Sequence, residues 1–544
     1  MARTRHGGRR GPTPFERGHK RGAARLLAFF ALAVTFVVTP FLLARSIIYL
    51  EPQEGMALLG LLVVAMLVAL PLGERAVNTR LMVWGLAFYL GFDILWADYV
   101  AVDLPLIPFV TPVRMYLFLF VGVWLFLAAT SRIVHERMWK SLKAIPLVSL
   151  AFMFVILFEG ASIAFSVDPG GSQKNFLYHL MTYVVPFLVA ASFVRSRGDI
   201  EILVRTLAYC AAIVGLIAVA ETIVHRNLYG GFFGKWLNYD AGWLKGVWFG
   251  DSRDGKYRAF GPFLVHLSLA EFFILAMPFV IYCLEKAKRG WVKLLFWASI
   301  PLCLFGVYTT DSRTSLIAAL CIIAIYLVFK GLRFQIERKE SSMRPLIALI
   351  ILGLVVLAPL AIGLVFKRIG WENAFGESGS RTMQLIIGIP KVVHRPLFGY
   401  GVGNAGYVLD YRPDGHTPSI DNYYLSMALD AGIPAMLAFA ILPLTMVWMA
   451  FRRAVRRGPD GSLFLAFGLS GLGFAIVRFT LSQYENVNFF YILLGAFVAF
   501  IVLVREESAA TEPAPANGRR KRRRIVGDEG WQGQRGFLSS LRGP

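Results

Sequence analysis

Arg258, Arg313 and Arg381 are the residues whose type and placement promise chemistry. Each stands in a short polar stretch beside long apolar runs. A guanidinium is always charged and can grip phosphate oxygens with two parallel bonds. Each such bond is worth about 1.5–3 kcal/mol, so three at one face can hold a diphosphate without a metal. The plainer reading is a local ion pair for each: Arg313 with Asp311, Arg258 with Asp254, Arg381 with Glu377. His416 and Asp421 supply candidate bases, because either can accept a proton from an attacking hydroxyl. Asp421 has a plainer role as cap of a helix starting near Asn422, and His416 as an ordinary loop histidine.

The familiar nucleotide and metal signatures are missing. There is no D-x-D triplet, no G-x-x-x-x-G-K-[ST] loop and no H-E-x-x-H. Neither a metal nor a cofactor is therefore expected. Gly401-Val402-Gly403-Asn404-Ala405-Gly406 matches G-x-G-x-x-G, but it lies between Pro396 and Pro413 with no βαβ pattern around it. Its glycines are expected to let a turn pack tightly against its neighbours, or to let backbone N–H groups approach a phosphate.

The elements that must position these residues are membrane spans. The 544 residues are 57% apolar and only 17% charged, with mean hydropathy +0.60. That composition excludes a soluble enzyme and a disordered chain. A span needs roughly 20 apolar residues. Fourteen runs qualify: 26–48, 56–73, 81–97, 113–130, 144–165, 176–194, 202–224, 263–284, 292–309, 315–330, 345–366, 423–450, 462–481 and 488–504. The expected fold is all-α, a polytopic helical bundle over 26–504, between a basic tail at 1–25 and a basic, disordered tail at 505–544.

Charge sets the orientation. The net charge is +22, and residues 1–25 carry eight Lys/Arg against one acid. The connections at 74–80, 131–143, 195–201, 285–291, 331–344 and 451–461 are also rich in Arg and Lys, on the same side as both tails. Basic loops stay in the cytoplasm, so both termini are expected there. The charge is read as a membrane signature, not a nucleic-acid one, and Arg519–Arg524 as lying on anionic lipid headgroups. Two long connections, 225–262 and 367–422, then fall outside. The second holds Leu385, Ile386, Ile389, Val392 and Val393 on one helical stripe. It predicts an interfacial helix capped by Ser380 and opened by Arg381. Asp93, Glu159, Glu271 and Arg478 fall within spans, where an ionisable group is costly unless it pairs or acts. Pairing between spans is the expected reading. Cys210, Cys283, Cys303 and Cys321 lie in apolar runs and read as small core residues.

Four stretches together resemble the O-antigen ligase and polymerase family of bacterial envelope glycan assembly. They are Ser162–Pro169, Arg258–Phe263, Asp311–Thr314, and the block from Arg395-Pro396-Leu397-Phe398-Gly399-Tyr400-Gly401 through Asp421-Asn422-Tyr423-Tyr424-Leu425 to Ala431–Pro434. The resemblance implies a metal-independent glycosyltransferase in the bacterial inner membrane. It would take a glycan from undecaprenyl diphosphate, with arginines on the diphosphate and a residue near the end of the long loop serving the acceptor. Ligases of this family look to have His directly before the Asn of the last motif. Here that residue is Asp421, and the nearest His is His416. The departure favours a polymerase of surface polysaccharide over a ligase to lipid A core. A transporter of lipid-linked glycan is the alternative of another class.

Overall fold

The computed structural model describes residues 78–97, 100, 102–104, 107–229, 252–253, 256–338, 371–412, 418–455 and 460–511. The chain divides into two compact units, 1–503 and 504–544; the described part of the second is the final turns of its helix. The expected spans 26–48, 56–73 and 345–366 lie outside the described residues, as do His416 and most of 225–262.

Helices dominate. In chain order they are α1 (Thr79–Leu95), α2 (Pro112–Thr130), α3 (Arg132–Ala144), α4 (Pro146–Ser162), α5 (Pro169–His179), α6 (Val185–Phe193), α7 (Arg197–Val224), α8 (His266–Lys286), α9 (Gly290–Thr309) and α10 (Arg313–Arg338). Then follow α11 (Trp371–His394), α12 (Ala405–Leu409), α13 (Tyr423–Ala431), α14 (Ile433–Ala454), α15 (Gly461–Val477) and α16 (Val487–Thr511). A π-helical turn, Leu180–Val184, joins α5 to α6. Two short antiparallel ladders pair Val102–Leu104 with Ile107–Val110 and Ser252–Arg253 with Lys256–Tyr257.

Among the described residues, nine segments are long and apolar enough to cross a membrane. In hydrocarbon only a helix satisfies every backbone N–H and C=O within one segment. The surfaces fit that setting: Leu119, Trp291, Leu444 and Trp448 are all more than half exposed. Small and aromatic residues fill the interior, with Phe474 stacked on Phe490 at 4.1 Å. Cys210, Cys283 and Cys303 are buried free thiols and Cys321 is half-buried.

Two elements differ from expectation. The run 423–450 is not one helix. Gly432, at φ +89°, separates α13 from α14, and Ile433 N–H donates to Pro396 C=O at 2.8 Å. A Cβ at Gly432 would stand 2.2 Å from Leu397 O, so a tight backbone crossing dictates the break. Nor does Ser380 cap α11, which begins at Trp371 and carries Ser380 and Arg381 in its interior. No proline interrupts residues 371–389, so the helix runs through its small-residue stretch. The apolar stripe itself is as expected: Ile386, Ile389 and Val393 are exposed, while Val392 is buried against α12 and α13.

Candidate functional site

Antiparallel succession brings the starts of α2, α8, α10, α14 and α16 and the ends of α7, α9 and α15 to one end of the helices. The opposite end carries Arg132, Lys143, Lys288, Arg289, Arg452 and Arg453. All the sequence-derived candidates with described side chains lie at the first end.

Arg258 is positioned from below by Glu221, which the sequence reading overlooked. Glu221 is fully buried in the last turn of α7. It accepts N–H bonds from Leu228 at 3.1 Å, Phe260 at 3.0 Å and Gly261 at 2.9 Å. Three backbone donors satisfy a carboxylate that burial would otherwise penalise. They also lock the segment that carries Arg258. The one sequence signal was a carboxylate three residues before the end of an apolar run.

The Arg258 side chain, 11% exposed, lies 3.5 Å from the Asp311 carboxylate and donates to His266 Nε2 at 3.2 Å. An arginine offers no acceptor, so His266 presents its Nε2 lone pair. Asp254, the partner expected from sequence, lies outside the described residues. Ala259 N–H donates to Thr309 C=O at 3.4 Å, docking this segment on the α9–α10 turn. In that turn Asp311 adopts φ +55°, a left-handed conformation uncommon for a residue with a side chain. Ser312 Oγ bonds Ser315 Oγ at 2.7 Å and accepts from its N–H at 3.3 Å, closing the first turn of α10. Arg313 stands two residues after the carboxylate beside Arg258, at the start of α10. Burial, and behind it the Glu221 charge, pushes the neighbouring Tyr257 phenol above its ordinary range, so it stays a donor at neutral pH.

Asp421 is held by Gln384 of α11. Gln384 Nε2 donates to Asp421 Oδ2 at 3.1 Å, and Asp421 N–H donates to Gln384 Oε1 at 3.0 Å. Arg381 lies one turn before Gln384 on α11, hence on the same face. The cap of α13 is Asn422, whose Oδ1 accepts from Tyr424 and Leu425 N–H at 2.9 and 3.1 Å. The capping role considered for Asp421 is thus filled by its neighbour.

The glycine-rich block packs as the tight turn expected of it. Asn404 Nδ2 reaches Ser172 Oγ at 2.9 Å, Ser166 Oγ at 3.0 Å and Tyr400 C=O at 3.1 Å. Gly401 and Gly403 have φ of +97° and +85°, and a Cβ on Gly401 would fall 2.2 Å from Ser166 Oγ. Val167 N–H donates to Tyr400 C=O at 3.0 Å, and Ala405 N–H to Asp430 Oδ1 at 2.7 Å. The stretches Ser162–Pro169 and Arg395–Gly403, remote in sequence, are one structural unit. Asn404→Ala removes a buried donor from it. A stability loss of about 1–3 kcal/mol is expected, read as a lower unfolding temperature in detergent.

Buried pairs also join the surrounding helices to one another. Arg478 and Glu271, both fully buried, bond at 2.5 Å, and Asn486 Nδ2 donates to the same Glu271 Oε2 at 3.0 Å. Tyr423 N–H donates to Arg478 C=O at 3.0 Å. Glu159 pairs with His179 at 3.2 Å, and Asp93 with Asn488. All four ionisable residues placed within spans are therefore partnered across helices, as expected. Among the described residues, no group of three His, Cys, Asp or Glu could hold a metal ion.

Comparison with known proteins bears out the resemblance. The family described as O-Antigen ligase matches residues 298–440, which include Arg313, Arg381 and Asp421. The teichuronic acid biosynthesis protein TuaE of Bacillus subtilis (strain 168) is 21% identical over 269 residues. That alignment covers 46% of this chain and 52% of the relative, so the match spans about half the relative's length. With the apolar helices, these likenesses indicate a multi-pass membrane protein and support a role in polysaccharide biosynthesis.

Proposed function

We propose that this protein is a glycosyltransferase that moves a glycan from undecaprenyl diphosphate to an acceptor sugar, polymerising a cell-surface polysaccharide. The observation that carries the reading is the seating of Arg258. It is mostly buried, oriented by Asp311 and His266, and placed by Glu221 at the end of the molecule that also holds Arg313, Arg381 and Asp421. Such a group is preorganised to meet negative charge developing on a departing diphosphate. In the step proposed, an acceptor hydroxyl attacks the anomeric carbon and the bond from that carbon to the diphosphate oxygen breaks. The hydroxyl proton passes to Asp421 or His416, and the electron pair leaves on undecaprenyl diphosphate. The arginines neutralise that leaving group, so neither metal nor cofactor is required.

The opposite end, with its arginines and lysines, is proposed to face the cytoplasm of a bacterial inner membrane together with both termini. The candidate site then opens to the periplasm. Asp421 in place of a histidine before Asn422 favours polymerisation over ligation of O-antigen to lipid A core.

The reading is tested with purified full-length protein in lipid bilayers, supplied with lipid-linked oligosaccharide. A ladder of longer glycans, formed equally in EDTA, is the expected result. Products only on added lipid A core would make it a ligase. Movement of donor across the bilayer with no new covalent product would make it a transporter. Activity abolished by EDTA and restored by Mg²⁺ or Mn²⁺ would overturn the metal-free account.

A further inference from the structure

Two arginines at the opposite, cation-rich end take no part in the proposed transfer. Helix α3 joins α2 to α4 there and packs on α6. Ser141 Oγ donates to Ala191 C=O at 2.7 Å, which fixes the contact. Arg137, one turn before Ser141, shares the inner face of α3 with Val134 and Met138 and is only 8% exposed. Arg195 stands two residues after the end of α6 and is half-buried. Its Nε and Nη2 are shut off from solvent and, among the described residues, meet no hydrogen-bond partner. Nη1 is the nitrogen that reaches the surface.

The two guanidiniums lie close enough to act on each other. Burial, and after it the Arg137 charge, push the Arg195 guanidinium below its ordinary range, with Asp199 opposing. Arginine stays charged at neutral pH, and like charges side by side away from water are costly. The acids nearest in sequence are engaged already. Glu136 pairs with Arg132 at 3.0 Å, and Asp460 accepts from Arg197 at 2.8 and 2.7 Å. Asp199 Oδ2 accepts the backbone N–H groups of Arg195 and Ser196 at 3.0 and 2.9 Å. The carbonyl end of α6 offsets part of the positive charge, but Ala191 C=O already serves Ser141 and Ala190 C=O serves Val194 N–H.

An anion with several oxygens answers this arrangement. Phosphate matches the guanidinium fork, and basic pockets between helices at a membrane surface take phospholipid headgroups. Apolar surface adjoins the corner: Ile133, one turn before Arg137, is 50% exposed, and Leu147 at the start of α4 is 51% exposed. Acyl chains can cover that surface, whereas a free phosphate ion leaves it bare. We propose that the corner between α3 and the end of α6 binds the phosphate of an anionic phospholipid, from the leaflet at that end, through Arg137 and Arg195. Free inorganic phosphate shares the headgroup's chemistry, and the test separates the two. The proposal does not depend on the glycan-transfer reading.

The test uses full-length protein stripped of lipid in detergent. Phosphatidylglycerol or phosphatidylcholine is added back, bound lipid is counted by native mass spectrometry, and the unfolding temperature is followed in parallel. Wild type should hold a single phosphatidylglycerol about tenfold or more tightly than phosphatidylcholine, with a raised unfolding temperature. Arg195→Gln should weaken that binding about tenfold or more, and Arg195→Lys less, because lysine keeps the charge and loses the fork. Arg137→Met keeps an unbranched apolar stem against α6 and should weaken binding as Arg195→Gln does. Should Arg137→Met fail to fold, the half-buried Arg195→Gln decides alone. Arg132→Gln, exposed and paired with Glu136, should bind as wild type does. Millimolar inorganic phosphate should leave phosphatidylglycerol in place. If phosphate displaces the lipid and by itself raises the unfolding temperature equally, the site takes the free ion and the lipid assignment falls. Equal binding of the two lipids by wild type, or wild-type binding of phosphatidylglycerol by Arg195→Gln, overturns the site.

Discussion

Arg258→Lys is expected to cut glycan transfer by about 10²–10³-fold, the usual cost of losing one preorganised donor to developing negative charge. Lysine keeps the charge but presents a compact ammonium, not a planar fork. It cannot contact Asp311 and His266 from two different nitrogens as Arg258 does at 3.5 and 3.2 Å, and still offer an edge to phosphate. Folding should be little affected, because Glu221 holds this segment through the backbone N–H groups of Phe260 and Gly261 and not through the arginine side chain. The check pairs turnover on lipid-linked donor with size-exclusion elution in detergent. Arg381→Lys should behave similarly, and Arg313→Lys less severely. Near-normal transfer by both Arg258→Lys and Arg381→Lys would place the diphosphate elsewhere.

Asp421→Asn is expected to lower transfer by about 10²–10⁴-fold if Asp421 takes the acceptor proton. The structure makes this substitution unusually clean. Gln384 Nε2 donates to Asp421 Oδ2 and can donate equally to an asparagine oxygen. Asp421 N–H still reaches Gln384 Oε1. Helix α13 keeps its own cap in Asn422. Basicity is removed while the contacts remain, so protein yield and donor binding should match wild type. A nearly silent Asp421→Asn together with an inactive His416→Gln would move the base to His416. Normal transfer by both variants would leave the arginines to drive departure of the diphosphate alone.

The span pattern was legible because each apolar run carries its own instruction. Pro146–Phe165 and Arg197–Val224 were recognisable from composition alone, as was the clustering of cations at one end. Where a helix broke or continued was less legible. The division at Gly432 depends on the Pro396–Phe398 backbone crossing it. The start of α11 at Trp371 was hidden by Gly376, Ser378, Gly379 and Ser380, which read as a boundary when taken alone. Arg258, Arg381 and Asp421 were singled out by type and setting. Glu221, His266 and Gln384, which place them, were not, since nothing near them in sequence announces a partner.

The sequence by itself determined a helical membrane protein and the end of the molecule that carries the cations, and it singled out the arginines and acid that the proposed glycan transfer would use. These follow from local quantities: in hydrocarbon each segment must satisfy its own backbone hydrogen bonds, so length and apolarity of one run are enough to specify a helix. Tertiary structure alone decided which polar groups meet. Arg478 finds Glu271 across 207 residues, Asn404 finds Ser172 across 232, and Phe260 N–H finds Glu221 across 39. A buried polar group is stable only with a partner, and that partner is chosen by which helices pack side by side, which periodicity within a single run does not encode.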